Sequence, residues 1–167
     1  MFSLWSGKNQ MKKQIKILIG TMTGNAQLVA QELELRFDGE GVAVETVDMD
    51  GLTPEIFEMD CIYLICTSTY GQGDVPDNAR SFVEALDSSR PDLKNLRYGV
   101  IALGDRTYAE TYCFGGKRFD ELLNSCGAGR IGDILMHDAS SGTMPEEAAA
   151  DWSQEWLGLC ESVWSHK

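Results

Sequence analysis

Ile15-Lys16-Ile17-Leu18-Ile19-Gly20-Thr21-Met22-Thr23-Gly24-Asn25-Ala26 decides the fold of this chain. An apolar run ends on a glycine, small hydroxyl and amide residues follow, and a helical pattern begins. Ala26, Val29, Ala30, Leu33 and Phe37 recur at three- and four-residue steps, and Gly39 supplies the stop. A strand that feeds straight into a helix presents the helix's first N–H groups, unpaired and partly positive, to whatever sits above the strand. That position favours an anion. Thr21, Thr23 and Asn25 surround it with neutral hydrogen-bond donors, and no Lys or Arg stands in the loop. A nucleoside triphosphate would call for a glycine-rich loop carrying a lysine, and a pyrophosphate for GxGxxG; the chain has neither pattern here. The loop suits one terminal phosphate monoester held by dipoles.

Outward from this stretch the same alternation repeats. Strand-like runs lie at Val42–Asp48, Cys61–Thr67, Tyr98–Leu103 and Ile131–Met136. Helical stripes run through Ala79, Phe82, Val83 and Leu86, and through Phe119, Leu122, Leu123 and Cys126. A last helix begins near Pro145 and carries Trp152, Trp156, Leu159, Cys160 and Val163 on one apolar stripe, so its tryptophans read as core. Nearly continuous apolar runs mark strands buried on both faces of a parallel sheet. Val42–Asp48 mixes valine with Glu45 and Thr46, which places it at an edge. A short helical turn is expected at Pro54–Phe57. The βαβ alternation predicts an α/β three-layer sandwich with right-handed crossovers, helices covering both faces of the sheet.

Length and composition bound the rest. At 167 residues the chain is one domain, and we expect a loose tail over residues 1–11 before a domain spanning 12–167. A net charge of −12 excludes nucleic-acid binding on electrostatic grounds and suits steering onto basic partners. No stretch reaches the roughly 18 apolar residues that span a bilayer, so no membrane role is expected. The 5 cysteines, Cys61, Cys66, Cys113, Cys126 and Cys160, are scattered without a CxxC pair. They read as buried free thiols, the pattern of a reducing cytoplasm. The histidines, His137 in a loop after the last strand and His166 at the terminus, read as surface residues. No nucleophile–base pair and no metal-ligand cluster stands out.

In an open sheet of this kind, ligands lie beyond the carboxyl ends of the strands. Three loops emerge there. The first is the phosphate cradle. The second reads Thr67-Ser68-Thr69-Tyr70-Gly71-Gln72-Gly73-Asp74, an aromatic between hydroxyls and glycines that let a ligand approach backbone. The third follows Leu103 and reads Gly104-Asp105-Arg106-Thr107-Tyr108-Ala109-Glu110-Thr111-Tyr112-Cys113. A monophosphate site with tyrosines on both neighbouring loops describes a planar aromatic ligand with a phosphate tail.

These motifs resemble the flavodoxin-like family, which includes flavodoxins proper, the FMN domains of diflavin reductases and the small protein MioC. The resemblance runs from about Lys16 to Leu157. TMTGNA is similar to the family's phosphate loop, STYGQGDVPDNARSF to the diflavin-reductase loop and following helix, and LGDRTY to the third loop. The resemblance implies a five-stranded parallel sheet in the order 2-1-3-4-5 and FMN as cofactor. Thr21, Met22, Thr23, Gly24, Asn25 and Ala26 would then hold the phosphate. Ser68, Thr69, Tyr70, Gly71, Gln72 and Gly73 would form the second wall, with the Gly71 carbonyl meeting flavin N5 when it is protonated. Leu103, Gly104 and Asp105 would meet the pyrimidine edge, close to Cys113. Tyr70 would stack on one side of the ring. Tyr108 and Tyr112 stay alternatives for the other, because Tyr108 and Cys113 are one residue further apart than the family usually places them.

The implied function is that of a low-potential one-electron carrier, without catalytic residues of its own. It would pass electrons from a basic NAD(P)H-dependent flavoprotein reductase to an acceptor enzyme, as a monomer. Alternatives of the same resemblance are a MioC-like accessory role supporting biotin synthase, or a small flavoenzyme reducing quinones.

Overall fold

The structure, a computed structural model, describes residues 13–22, 24–70 and 73–166. The expected tail over residues 1–11 therefore lies outside the described residues, as do Thr23, Gly71 and Gln72.

Strands β1 (Gln14–Gly20), β2 (Ala43–Asp48), β3 (Ile62–Thr67) and β4 (Arg97–Gly104) form a wholly parallel sheet. The order is β2-β1-β3-β4-β5, with β5 at Gly129–Arg130. Helices α1 (Asn25–Gly39), α2 (Asp77–Ser89), α3 (Phe114–Ser125) and α4 (Pro145–Ser165) cover its two faces. The alternation of side chains along β1 divides the core. Ile15, Ile17 and Ile19 join Val29, Leu33 and Phe37 of α1 and Trp156 and Cys160 of α4. Leu18 points the other way, to the layer that holds Phe82 of α2 and Phe119 of α3. β2 occupies the edge expected from its mixed sequence, and its pattern leaves Glu45, Thr46 and Asp48 exposed. Lys16, buried on β1, is neutralised by Glu45, its neighbour across the register. A 3-10 turn at Pro54–Glu58 sets Phe57 into the core.

Three local expectations need correction. The fifth strand is not continuous over Ile131–Met136. β5 pairs with the start of β4, and a separate strand β6 (Leu135–Asp138) pairs with its end. Gly132, at φ +69°, turns the chain out of the ladder between them. Two indoles of α4 take over the bonding there: Trp156 donates to the Ile131 carbonyl at 3.0 Å, and Trp152 to that of Asp133 at 3.3 Å. Trp156 is a core residue, as read, while Trp152 is only partly buried against that core; both also substitute for a missing strand partner. Leu159 lies outside the buried stripe and is exposed, because the stripe runs through Trp156, Leu157, Cys160 and Trp164. His137 is no surface residue: β6 reaches it, it pairs opposite Leu103, and it is buried with a ring nitrogen 2.8 Å from the Thr143 carbonyl oxygen.

Candidate functional site

The loops that follow β1, β3 and β4 meet at the carboxyl edge of the sheet, and the segment after β6 joins them. Together they enclose a cleft of about 920 Å³.

The first loop is held from below. The Thr21 amide donates to Asn78 Oδ1 at 2.9 Å, and Asn78 Nδ2 reaches the Asp48 carboxylate at 2.9 Å and the Ile19 carbonyl at 3.3 Å. Thr21 Oγ1 accepts from the Gly24 amide at 2.9 Å, which curls the loop back on itself. Gly24 completes the turn at φ +92°, a left-handed conformation natural to glycine. The start of α1 carries no side-chain cap and no acidic residue in its first turn. Its leading N–H groups are thus left to an outside acceptor, the arrangement that binds phosphate.

The second loop is closed between Tyr70 and Asp74, whose backbones exchange bonds of 2.8 and 2.9 Å. Thr69 ties it sideways. Its hydroxyl donates to the Leu103 carbonyl at 3.0 Å and accepts from the Gly115 amide at 3.1 Å, linking loop two to β4 and to α3.

In the third loop, Asp105 caps the 3-10 turn Arg106–Thr111 by accepting from the Thr107 amide at 2.8 Å. Asp138, at the end of β6, accepts from the Arg106 amide at 2.9 Å and from the Ser140 amide and hydroxyl at 2.9 and 2.7 Å. Those donors, led by the Arg106 amide, hold its carboxyl below the usual carboxylate range. The tie between the third and fourth loops is therefore complete at neutral pH and is lost only as pH falls through that lowered value.

The cleft brings together Met22, Asn25, Ser68, Thr69, Tyr70, Leu103, Gly104, Asp105 and Tyr108 of the residues expected from sequence. Tyr70 is 44% and Tyr108 66% exposed, large rings open to the cleft. Thr21, Gly24, Ala26 and Gly73 are not among the lining residues. Tyr112 turns away: its hydroxyl donates to the Met136 carbonyl at 3.2 Å, and the Arg106 guanidinium sits 5.1 Å above its ring. Cys113 is wholly buried, its thiol facing the Ala102 carbonyl at 3.3 Å. Burial pushes that thiol up to about 11, so it is neutral at physiological pH.

Sequence reasoning missed the fourth wall, formed by Ala139, Gly142, Thr143, Met144, Pro145 and Glu146. The available signal was the small polar run Ala139-Ser140-Ser141-Gly142-Thr143, a turn-forming stretch leaving a strand at its carboxyl end. Among the described residues lining the cleft there is no lysine or arginine. A second cleft, of about 760 Å³, opens at the amino-terminal ends of β3 and β4 among Pro54, Phe57, Tyr63 and Leu96, far from these loops.

The sequence profile of the flavodoxins matches residues 17–152. The chain belongs to the flavodoxin family. It is 40% identical over 143 residues to Flavodoxin YqcA of Escherichia coli strain K12, covering 86% of this chain and 95% of that one. Protein MioC of Escherichia coli O157:H7 is 33% identical over 145 residues, covering 87% and 97% of the two chains. Among solved structures, a cysteine-to-alanine mutant of flavodoxin from Pseudomonas aeruginosa superposes with a TM-score of 0.75 at 30% identity, covering 87% and 97%. The cofactor of this flavodoxin-family chain is FMN, and its cleft fits that group. The uncapped start of α1 suits a phosphate monoester, the exposed tyrosines suit a planar ring, and no lysine or arginine stands among the described lining residues. No described helix is long and apolar enough to cross a membrane.

Proposed function

We propose that this chain is a low-potential one-electron carrier, reduced by a basic NAD(P)H-dependent flavoprotein reductase and oxidised by an acceptor enzyme. The observation that carries the reading is the uncapped, cation-free start of α1 opening into a cleft flanked by Tyr70 and Tyr108. Bound there, FMN supplies the one-electron chemistry. The protein's part is to bind, orient and surround it.

In this reading Thr21, Thr23, Gly24, Asn25 and Ala26 hold the phosphate through backbone amides and neutral side chains. Thr21 acts chiefly by shaping the loop, since its amide is engaged by Asn78 and its oxygen by Gly24. Tyr70 and Tyr108 flank the ring, and offset stacking contributes roughly 0.5–1.5 kcal/mol per ring pair beyond area burial. Tyr108 is chosen over Tyr112 because only Tyr108 lines the cleft. Ser68, Thr69, Gly71, Gln72 and Gly73 complete the second wall, and Leu103, Gly104 and Asp105 the third. Asp105 lines the cleft and Asp74 closes the second loop beside it. Their negative charge disfavours further negative charge on the ring and so lowers its potential.

His137 is the histidine in the lining, and its ring nitrogen is engaged by Thr143. A carrier needs no free imidazole; a flavoenzyme that takes hydride from a nicotinamide needs a second nucleotide site.

The test uses the chain reconstituted with FMN. Mixed with NADPH alone, it should stay oxidised in visible absorbance. Adding a basic flavoprotein reductase in trace amount should bleach it. The rate should fall as salt rises, because the screening length is about 8 Å at 0.15 M ionic strength. Turnover with NADPH alone would make the chain a flavoenzyme, and failure to retain FMN would remove the carrier reading altogether.

A further inference from the structure

The peptide that joins Gly20 to Thr21 carries the chain out of β1 and into the first loop. It is held at both ends. Its carbonyl accepts from the Ser68 amide at 2.9 Å, and its N–H donates to Asn78 Oδ1 at 2.9 Å. One tie comes from the second loop and the other from the first turn of α2. Met22, the next residue of the loop, meets the same helix: the Asp77 amide lies 3.3 Å from its Sδ.

The carboxamide of Asn78 fits only one way round. Its Nδ2 lies 2.9 Å from the Asp48 carboxylate and 3.3 Å from the Ile19 carbonyl, two groups that accept. With the nitrogen drawn to that side, the oxygen is turned to Thr21. Asp48 closes β2, and the same Oδ1 also accepts from the Asp50 amide at 2.8 Å, so its carboxylate is itself fixed. The contacts run in series from Asp48 through Asn78 to the Thr21 amide. Neither Asp48 nor Asn78 lines the cleft.

A phosphate loop without lysine or arginine depends on direction. Backbone N–H groups attract an anion only where they point at it, and a small misplacement forfeits much of the binding. The plane of the Gly20–Thr21 peptide sets the course on which the chain enters that loop.

We propose that Asp48 and Asn78 are positioning residues for phosphate recognition: Asp48 orients the Asn78 carboxamide, and Asn78 fixes the peptide from which the phosphate loop departs. The inference rests on the first loop holding the phosphate of FMN. It gives β2, the edge strand, and α2 a part in a site that neither of them lines with these residues.

Fluorescence titration of the apo-protein with FMN and with riboflavin, which lacks the phosphate, tests it. Asn78→Ala should weaken FMN by about tenfold and leave riboflavin within twofold of the parent. Asp48→Ala should act in the same direction by about threefold. The double variant should lose no more than Asn78→Ala alone, because the two residues act through one contact. In the Asn78→Ala holoprotein the phosphorus resonance of bound FMN should move while the visible flavin bands stay in place. A parent-like preference for FMN in Asn78→Ala would overturn the proposal. So would equal losses for both ligands, which would make the role structural, or losses that add in the double variant. If the parent itself holds riboflavin as tightly as FMN, the phosphate reading of the first loop fails, and this inference falls with it.

Discussion

Trp156→Ala is expected to lower the unfolding free energy by about 3–5 kcal/mol, and so the thermal midpoint by roughly 10 °C for a chain of this size. Three separate observations put the effect at the top of that range. The indole is 1% exposed and stacks with Trp152 at 5.3 Å and with Phe37 at 6.2 Å. It lies flat on β4 at Gly99, where an added Cβ would come within 2.5 Å of its Nε1, so no neighbour is placed to refill the space. Its N–H also satisfies the Ile131 carbonyl in the gap between β5 and β6. Trp156→Phe separates these contributions. It keeps most of the packing but orphans that carbonyl, which costs about 1–2 kcal/mol. Melting of the apo-protein followed by circular dichroism reads both. A midpoint unchanged in the alanine variant would mean that the gap in the fifth strand needs no plug.

Gly115→Ala should act on the cofactor more than on the fold. Gly115 sits in the first turn of α3, and a Cβ there would lie 2.3 Å from the Ser68 carbonyl oxygen and 3.3 Å from Thr69 Cα. Backbone, not a flexible side chain, has to give way. The shift falls on the loop that carries Tyr70, and it breaks the relay from the Gly115 amide through Thr69 Oγ1 to Leu103. Binding sites tolerate displacements of only about 0.5 Å before losing function, so FMN affinity should drop at least tenfold. Overpacking costs roughly 1–3 kcal/mol of stability in addition. Gly158→Ala on α4, where nothing lies within 4 Å, is the matched control and should leave affinity untouched. Equal FMN affinity in Gly115→Ala and the parent would show that the second loop is not set by α3.

The three-layer arrangement was legible because each strand and helix announces itself over a short window, whereas the strand order came with the family resemblance. Ile15–Gly20 reads as buried strand from its composition, and Ala26 to Phe37 as helix from its spacing. The first three loops were legible for the same reason, each holding its chemistry within a few consecutive residues. What the sequence withheld is what distant residues do to one another. Asn78 is an ordinary helix residue until it is seen bonding the Thr21 amide from 57 positions away. Tyr108 lines the cleft and Tyr112 does not, because Met136 and Arg106 engage Tyr112. Ile131–Met136 has strand composition, yet Gly132 and two indoles arriving from α4 divide it. The fourth wall was illegible because Ala-Ser-Ser-Gly-Thr is common loop chemistry, and only the packing of α4 beside α1 brings Glu146 to the cleft.

The 5 free cysteines are distributed through both faces of the sheet, all of them buried. Burial pushes Cys66, on the central strand β3, up to about 12, while Cys61 and Cys126 lie nearer the surface at 8% and 9% exposure. Cys66, Cys113 and Cys160, at 0% exposure, cannot be alkylated until their surroundings open. The chain therefore carries a ready-made depth gauge: peripheral thiols register local breathing, and Cys66 registers only the collapse of the sheet. With labelling followed by mass, the two can be told apart in one sample, with no probe introduced.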